Sequence, residues 1–90
     1  MNSLLGVPLG DSGKLAAWGK ADSVPGFDKR IYRRDRFGWW IKWHEYGKCS
    51  EYGWEIDHIF PLSIGGTSCD FNQVATHWKN NRLKSNRFIG

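Results

Sequence analysis

The sequence predicts a small α+β domain in which an antiparallel β-hairpin is followed by a helix. Three observations point to this class. The chain has 90 residues and six tryptophans, so a single core rich in large rings is expected. Two neighbouring segments, 39–46 and 52–60, have the aromatic or alternating composition of strands. A partial helical stripe then runs through the C-terminal residues.

The N-terminal part is predicted to hold a flexible leader and two short helices. Four Gly and Pro residues interrupt residues 1–13, which are expected to form the leader, and a single domain should span 14–90. The segment 14–21 favours a short helix. A second helix is predicted over 29–36, with Asp28 as its N-cap and its arginines exposed.

The predicted hairpin joins the strand at 39–46 to the strand at 52–60 through a turn-rich connection. Alternation along the second strand divides its side chains into two sets. Trp54, Ile56 and His58 fall on one face, whereas Glu55, Asp57 and Ile59 fall on the other.

A glycine-rich loop and a helix complete the prediction. Pro61 ends the second strand, and residues 63–71 form the loop, with Gly65-Gly66 as its sharpest turn signal. The helix is predicted from about His77 to Asn86, and Thr76 is a candidate N-cap.

Charge is divided along the chain into basic flanks around an acidic centre. The formal net charge is +4, but residues 29–48 carry +5 and residues 79–90 carry +4. Residues 49–78 carry −4 and contain no Lys or Arg, and residues 1–28 carry −1. Basic segments with interleaved rings suit a phosphate backbone, and an acidic centre within them suits a bound cation. Charge alone leaves a solvated surface with chance clustering as the alternative.

Several classes of protein are not favoured by the sequence. No stretch reaches the ~20 apolar residues that a membrane span needs, and the N-terminal residues lack the basic leader of a signal peptide. Cys49 and Cys69 form no C-x-x-C pair, which argues against a four-cysteine zinc site and a dense disulfide framework. A reduced, intracellular protein is therefore expected.

The informative segment is 55–87, where residues that carry chemistry follow one another at fixed spacings. Asp57 and His58 are adjacent near the end of a predicted strand. Asn72 follows fourteen residues after His58, Asn81 comes nine residues later, and a lysine follows three residues after that. A strand thus ends in Asp-His, a loop with Pro and Gly-Gly follows, and a further polar residue lies on the helix.

This constellation resembles that of the HNH endonucleases, also called ββα-metal or His-Me finger nucleases. The matching text is DHIFPLSIGGTSCDFNQ followed by NNRLK, and the spacings of fourteen and nine residues are similar to those in RNA-guided CRISPR nucleases. The upstream text resembles small stand-alone HNH nicking endonucleases of bacteria and phages, which implies a cytoplasmic protein. The resemblance covers about residues 17–88, with 55–87 as the core motif.

The sequence departs from the common family pattern in two ways. Many HNH proteins carry two C-x-x-C pairs that bind a structural zinc, and because this chain has none, no structural zinc is expected. The third letter of the motif is Asn81 rather than the frequent His, with Asn80 as the alternative because the assignment rests on spacing. Amide and carboxylate oxygens favour Mg²⁺ or Mn²⁺ over Zn²⁺.

The resemblance implies a role for each motif residue. Asp57 and Asn81 would hold one divalent cation, Mg²⁺ or Mn²⁺, and His58 would act as general base toward water. Asn72 would hold the loop and orient the His58 ring. His77 is a candidate additional ligand, although it could instead simply open the helix.

Eight basic residues are predicted to contact the phosphates of double-stranded DNA. They are Arg30, Arg33, Arg34, Arg36, Lys79, Arg82, Lys84 and Arg87. With one site and no visible base-reading module, the chain is expected to nick one strand as a monomer, with weak sequence preference and no membrane or protein partner. The alternatives are a non-catalytic nucleic-acid-binding domain on the same scaffold and an RNA-directed nuclease.

Overall fold

Two antiparallel sheets and two α-helices form residues 12–89, the part of the chain that the computed structural model describes. In chain order the elements are α1 (Ser12–Gly19), β1 (Asp22–Ser23), β2 (Tyr32–Arg34), β3 (Trp40–Lys42), β4 (Trp54–His58), β5 (Gln73–His77) and α2 (Trp78–Ile89). Short 3₁₀ turns lie at Trp43–Glu45, Leu62–Ile64 and Asp70–Asn72. The predicted mixture of helices and antiparallel strands is confirmed.

The strands pair in two separate sheets. β1, β2 and β3 form one antiparallel sheet in sequence order, and β4 and β5 form the other. In the second sheet Glu55 lies opposite Thr76, and Asp57 lies opposite Val74. The helix α2 follows β5 directly and contacts both strands of this sheet.

β4 separates an apolar core from a polar interface. Trp54 is fully buried and Ile56 packs against the same hydrophobic cluster. The other buried members of that cluster are Trp18, Ile41 and Ala75. Glu55 and Asp57 instead contact side chains of α2. The alternation predicted along this strand is therefore confirmed for these four residues.

The predicted partner of β4 is wrong. The sequence predicted a hairpin between 39–46 and 52–60, but the first segment forms β3 and a 3₁₀ turn, and β3 pairs with β2. β4 pairs instead with β5, across the glycine-rich loop. A cross-strand aromatic contact favours the pairing of β3 with β2, since the ring of Tyr32 packs edge-on against that of Trp40 at 5.9 Å.

The predicted second helix over 29–36 is also wrong, because this segment forms a turn and β2. The Asp28 carboxylate accepts the backbone N–H of Arg30, and its carbonyl oxygen accepts those of Ile31 and Tyr32. Asp28 thus closes a turn instead of capping a helix. The following residues then extend to pair with β3.

The first helix was predicted over 14–21 and begins and ends two residues earlier, at Ser12 and Gly19. The last two residues of the predicted leader, 12 and 13, therefore belong to α1. Residues 1–11, the remainder of the predicted leader, lie outside the described residues.

The C-terminal helix begins at Trp78, and the residues before it form a strand rather than a loop and helix start. Residues 74–77 are all buried. Periodicity does not distinguish a strand from a helix in a short, fully buried run, which is why the sequence pattern misled here. Thr76, predicted as an N-cap, lies in β5 and faces Asp57.

The loop between β4 and β5 turns at the glycines that the sequence singled out. Gly65 has a φ of 102°, a conformation that residues with a Cβ rarely adopt. A Cβ on Gly66 would lie 1.8 Å from the carbonyl oxygen of Phe60. The close approach of these two backbone segments therefore requires glycine at position 66.

Two further observations concern the membrane and the cysteines. Neither helix within residues 12–89 combines the length and apolar character that crossing a bilayer requires. Cys49 and Cys69 are both exposed and carry free thiols.

Candidate active site

Asp57 is a buried carboxylate on β4 that faces α2, with its side chain only 4% exposed. Its Oδ2 accepts hydrogen bonds from Nη2 of Arg36 at 2.7 Å and from the Thr76 hydroxyl at 3.3 Å. Its Oδ1 accepts one from Nζ of Lys84 at 2.8 Å, and the same ammonium group donates to the carbonyl oxygen of His58. Because burying a carboxylate is costly unless it is paired, two cations from two different segments satisfy this one.

Asn81 lies one helical turn before Lys84 on the same face of α2. Its Nδ2 donates to Oε1 of Glu55 at 3.0 Å. Glu55 and Asp57 are two residues apart on β4 and therefore share one face of the strand. The structure thus brings Asn81 and Asp57 to the same interface between β4 and α2.

His58 is half-buried and its ring lies toward the loop that follows β4. Its Nε2 is 3.4 Å from the hydroxyl oxygen of Ser68. Because successive strand residues point to opposite faces, the His58 ring and the Asp57 carboxylate are adjacent in sequence but lie on different sides of β4.

Asn72 clamps the loop that begins directly after His58. Its buried side chain accepts the backbone N–H of Phe60 at 2.7 Å and donates to the carbonyl oxygens of Phe60 and Thr67, at 3.0 and 2.6 Å. Its own carbonyl oxygen accepts the N–H of Ile59 at 2.9 Å. These bonds fix the backbone on either side of the loop and hold its start against β5.

Asp35 is a second buried carboxylate, fully enclosed, at the turn between β2 and β3. Its Oδ1 accepts the backbone N–H groups of Phe37 and Trp39, at 3.0 and 2.9 Å. Its Oδ2 accepts the backbone N–H of His77 and Nδ2 of Asn80, each at 3.0 Å. Asp35 thereby joins this turn to the start of α2. The Asn80 in this contact is the alternative third motif residue, and its amide nitrogen is therefore bound to Asp35.

The structure does not bring His77 to Asp57, and its predicted position on a helix is wrong because it ends β5. Its Nε2 lies 2.8 Å from the carbonyl oxygen of Glu51, and its Nδ1 accepts the N–H of Lys79 at 3.2 Å. The ring is buried and lies 5.0 Å from that of Trp39. Both ring nitrogens are therefore engaged with backbone groups.

The basic residues predicted at a DNA surface do not share a helix, and several hold the fold together. Arg30 pairs with Asp28 at 2.8 Å in the turn before β2. Arg33 donates to the carbonyl oxygens of Lys29 and Ala21, at 2.9 and 3.0 Å, and so ties β2 to the end of α1. Replacing Arg33 would disturb the fold as well as any contact with DNA.

The other predicted basic residues lie on β2, on the turn after it and on α2. Arg34 is half-buried in β2, and the exposed Lys79 has its Nζ 5.6 Å from the centre of the Trp78 ring. Arg82 covers the same ring at 5.3 Å and donates to a carboxylate of β4. Arg36 and Lys84 are the two partners of Asp57, and the side chain of Arg87 lies outside the described residues.

The donor atoms between β4 and α2 are oxygens of the kind that hard divalent cations take as ligands. The Asp57 carboxylate and the His58 carbonyl already share one cationic group, the Lys84 ammonium. Within residues 12–89, no three His, Cys, Asp or Glu side chains group as a metal site would require. These residues fit an ion that keeps several waters, as Mg²⁺ does, better than a closed all-protein site.

Comparison with known proteins identifies the class to which this site belongs. A family model described as HNH endonuclease matches residues 46–88, which span β4, the loop, β5 and most of α2. The segment therefore belongs to the HNH family, which confirms the resemblance drawn from the sequence and indicates a nuclease acting on nucleic acid. No curated protein and no solved structure matches the chain.

The predicted site residues did not include Glu55 or Asp35, although the sequence around each of them contains an informative pattern. Glu55 stands two residues before Asp57, so the alternation of a strand places both carboxylates on one face. Asp35 is the only acid in the run RRDRFG, and Gly38 three residues later completes the pattern of a β-turn.

Proposed function

We propose that this chain is a metal-dependent endonuclease that nicks one strand of double-stranded DNA as a monomer, with weak sequence preference. In this proposal β4, β5 and α2 form the ββα-metal finger of the family. The observation that carries the proposal is the interface between β4 and α2. There the Asp57 carboxylate meets the helix face of Asn81, with His58 beside it on the opposite side of the strand.

Asp57 and Asn81 would hold one Mg²⁺ or Mn²⁺ ion. When bound, that ion would neutralise negative charge on the phosphate and on the leaving 3′ oxygen. The support is the buried carboxylate, whose oxygens already attract two cationic side chains. In place of the structural zinc of other family members, the tryptophan core and the Asp35 hydrogen bonds would hold the sheets and α2 together.

His58 would accept a proton from the attacking water at a ring nitrogen. An imidazole is neutral often enough near pH 7 to serve as a base, and it recovers by releasing the proton to solvent. Asn72 would support this step indirectly, because its clamp fixes the backbone that follows His58. A base on one side of β4 and a ligand on the other would keep the proton acceptor separate from the cation.

DNA affinity would come mainly from phosphate contacts and would therefore fall as salt concentration rises. Lys79 and Arg82 are exposed on α2, where they would meet a phosphate, although Arg82 also donates to Glu55. Lys84 and Arg36 would reach a phosphate only by leaving Asp57. The proposed location is the cytoplasm of a bacterium or of a phage-infected cell.

The test is a supercoiled-plasmid assay with Mg²⁺, Mn²⁺, Zn²⁺ or chelator, run alongside single-stranded DNA and RNA. The proposal predicts open circles before any linear product with Mg²⁺ or Mn²⁺, and intact plasmid with chelator. Cutting that chelator leaves unchanged would contradict the metal mechanism. Faster cleavage of RNA than of DNA would contradict the proposed DNA substrate. DNA binding without cleavage would favour the non-catalytic alternative.

A further inference from the structure

The carboxylate of Glu55 joins two neighbouring residues of α2 to the middle of β4. Its Oε1 accepts Nδ2 of Asn81 at 3.0 Å, and its Oε2 accepts Nη2 of Arg82 at 3.1 Å. The side chain is 26% exposed, and the residue lies on the strand face that also carries Asp57. Glu55 therefore touches the amide of the proposed ligand without being part of the mechanism described above.

The two groups of an asparagine amide differ in whether they can bind a cation. Its amide oxygen can bind a divalent cation, whereas its NH₂ group can only donate hydrogen bonds. A fixed acceptor for the NH₂ group decides which end is presented to the cation. An ionised carboxylate is such an acceptor, since it has no hydrogen to donate and could not satisfy the amide oxygen in the flipped orientation.

We propose that Glu55 is a positioning residue that holds the Asn81 amide with its oxygen, rather than its nitrogen, toward the divalent cation. This inference rests on the proposed function, because it takes Asn81 to be a metal ligand. It assigns the carboxylate a role that neither its partial exposure nor its pairing with an arginine would suggest.

Arg82 anchors the positioning carboxylate. Its guanidinium holds the second oxygen of Glu55 and lies over the Trp78 ring at 5.3 Å. The hydrogen bond that Arg82 donates to Glu55 raises the pKa of Arg82 above its ordinary value. Glu55 and Asn81 line a surface groove of about 310 Å³ together with Tyr46, Gly47 and Ile56.

The test compares Glu55→Ala and Glu55→Gln with Glu51→Ala in two backgrounds, by calorimetric titration with Mn²⁺ and by the nicking rate. All three variants lose the same charge, but the Gln amide can accept the Asn81 NH₂ group or donate to a flipped Asn81 oxygen, so only the wild-type carboxylate fixes the orientation. We expect both Glu55 variants to bind Mn²⁺ about tenfold more weakly than Glu51→Ala, the lower end of the range for residues that orient a metal ligand. Glu51→Ala, an exposed loop variant, controls for the general loss of one negative charge.

The second background is Asn81→Asp. A carboxylate has two equivalent oxygens, so there neither Glu55 variant should bind Mn²⁺ more weakly than Glu51→Ala. A residue that only supports the fold would lower the affinity in both backgrounds, and that result would overturn the proposal. Affinities of both Glu55 variants equal to that of Glu51→Ala in the Asn81 background would overturn it as well. Urea unfolding of every variant gives the folded fraction on which each affinity is based.

The design separates this inference from the proposed function. If Asp57→Asn abolishes Mn²⁺ binding while Glu55→Ala leaves it intact, the proposed metal site is supported and the proposed role of Glu55 is contradicted. If the wild-type chain binds no Mn²⁺, or binds it equally with Asp57→Asn, the proposed function and this inference are both overturned.

Discussion

Two carboxylates are buried at the two ends of the contact between α2 and the sheets, and they are satisfied in opposite ways. Asp35 accepts four hydrogen bonds, three from backbone N–H groups and one from an amide side chain. Asp57 accepts three, from a guanidinium, an ammonium and a hydroxyl. The exposed fractions of the two residues are similar, 0% and 4%, so burial does not separate them.

The two carboxylates differ in whether their hydrogen-bond donors can be replaced by another partner. Backbone N–H groups are part of the fold, and they cannot leave Asp35 without unfolding its turn. The side chains of Arg36 and Lys84 are long and can swing toward water, as the 38% exposure of Arg36 indicates. A carboxylate held by exchangeable cations can take another cation, whereas one held by fixed amides can only hold structure. This difference supports the proposal that the Asp57 region binds the metal, and it favours a structural role for the Asp35 region.

The largest effect is expected from Asp57→Asn, which should reduce plasmid nicking below detection and abolish the Mn²⁺ signal in calorimetry. The reason is the loss of the only anionic ligand in the proposed pair. The variant should still fold, because Arg36 and Lys84 can move into water. A circular dichroism spectrum and a melting temperature close to wild type would support the contrast between Asp57 and Asp35, whereas an unfolded variant would contradict it.

Asp35→Asn should instead lower the free energy of unfolding. Its new NH₂ group would face N–H donors, and each buried amide left without an acceptor costs on the order of 1–3 kcal/mol. Urea denaturation measures this loss, with Asp22→Asn in the exposed strand β1 as the matched control. A stability equal to that of the control would show that the Asp35 hydrogen bonds do not hold α2 in place.

Lys84→Met should bind Mn²⁺ more tightly than wild type, by about tenfold, because a charge-assisted hydrogen bond to a carboxylate is worth roughly 1.5 kcal/mol. Lys79→Met is the matched control, since it removes the same charge from an exposed position of the same helix. Equal affinities for the two variants would mean that Lys84 does not compete with the cation for Asp57.

The smallest effect concerns Asp28, an exposed carboxylate paired with Arg30. The hydrogen bond from Arg30 lowers the pKa of Asp28 from 3.8 to about 2 in the folded chain. Because the folded-state pKa is lowered, the pair stabilises the fold above about pH 4, and that contribution is lost as the pH falls toward 2. In Asp28→Asn, unfolding measured between these pH values should show a slightly flatter dependence. An unchanged slope would show that the ion pair between Asp28 and Arg30 does not stabilise the fold.

The sequence predicted the motif region better than the scaffold around it. The positions of Asp57, His58 and Asn72 at a strand end and a loop end follow from spacing and from turn residues with a fixed meaning, such as Gly65. The pairing of β4 with β5 could not be predicted in this way. Strand partners are chosen by contacts distant in sequence, and the buried run at 74–77 suits a strand and a helix equally well.

The intramolecular partners of the basic side chains were the feature that the sequence predicted least well. A cluster of arginines at 30–36 indicated a basic helix on DNA, yet Arg33 donates to backbone carbonyls and Arg36 reaches 21 residues along the chain to Asp57. Long basic side chains find partners wherever the fold brings acceptors close, and linear spacing carries no information about those partners. The contacts of Glu55 could not be predicted for the same reason, since its two partners on α2 follow it by 26 and 27 residues.

We propose that β4 carries a metal ligand and a general base on opposite faces, and the His58→Ala variant tests this arrangement. Calorimetric Mn²⁺ titration of His58→Ala is run beside its rate of plasmid nicking at several pH values. We predict Mn²⁺ affinity close to wild type, nicking slower by about 10²–10⁴-fold at neutral pH, and a residual rate that rises as hydroxide replaces the base. Loss of Mn²⁺ binding by His58→Ala, or nicking at the wild-type rate, would contradict the claim.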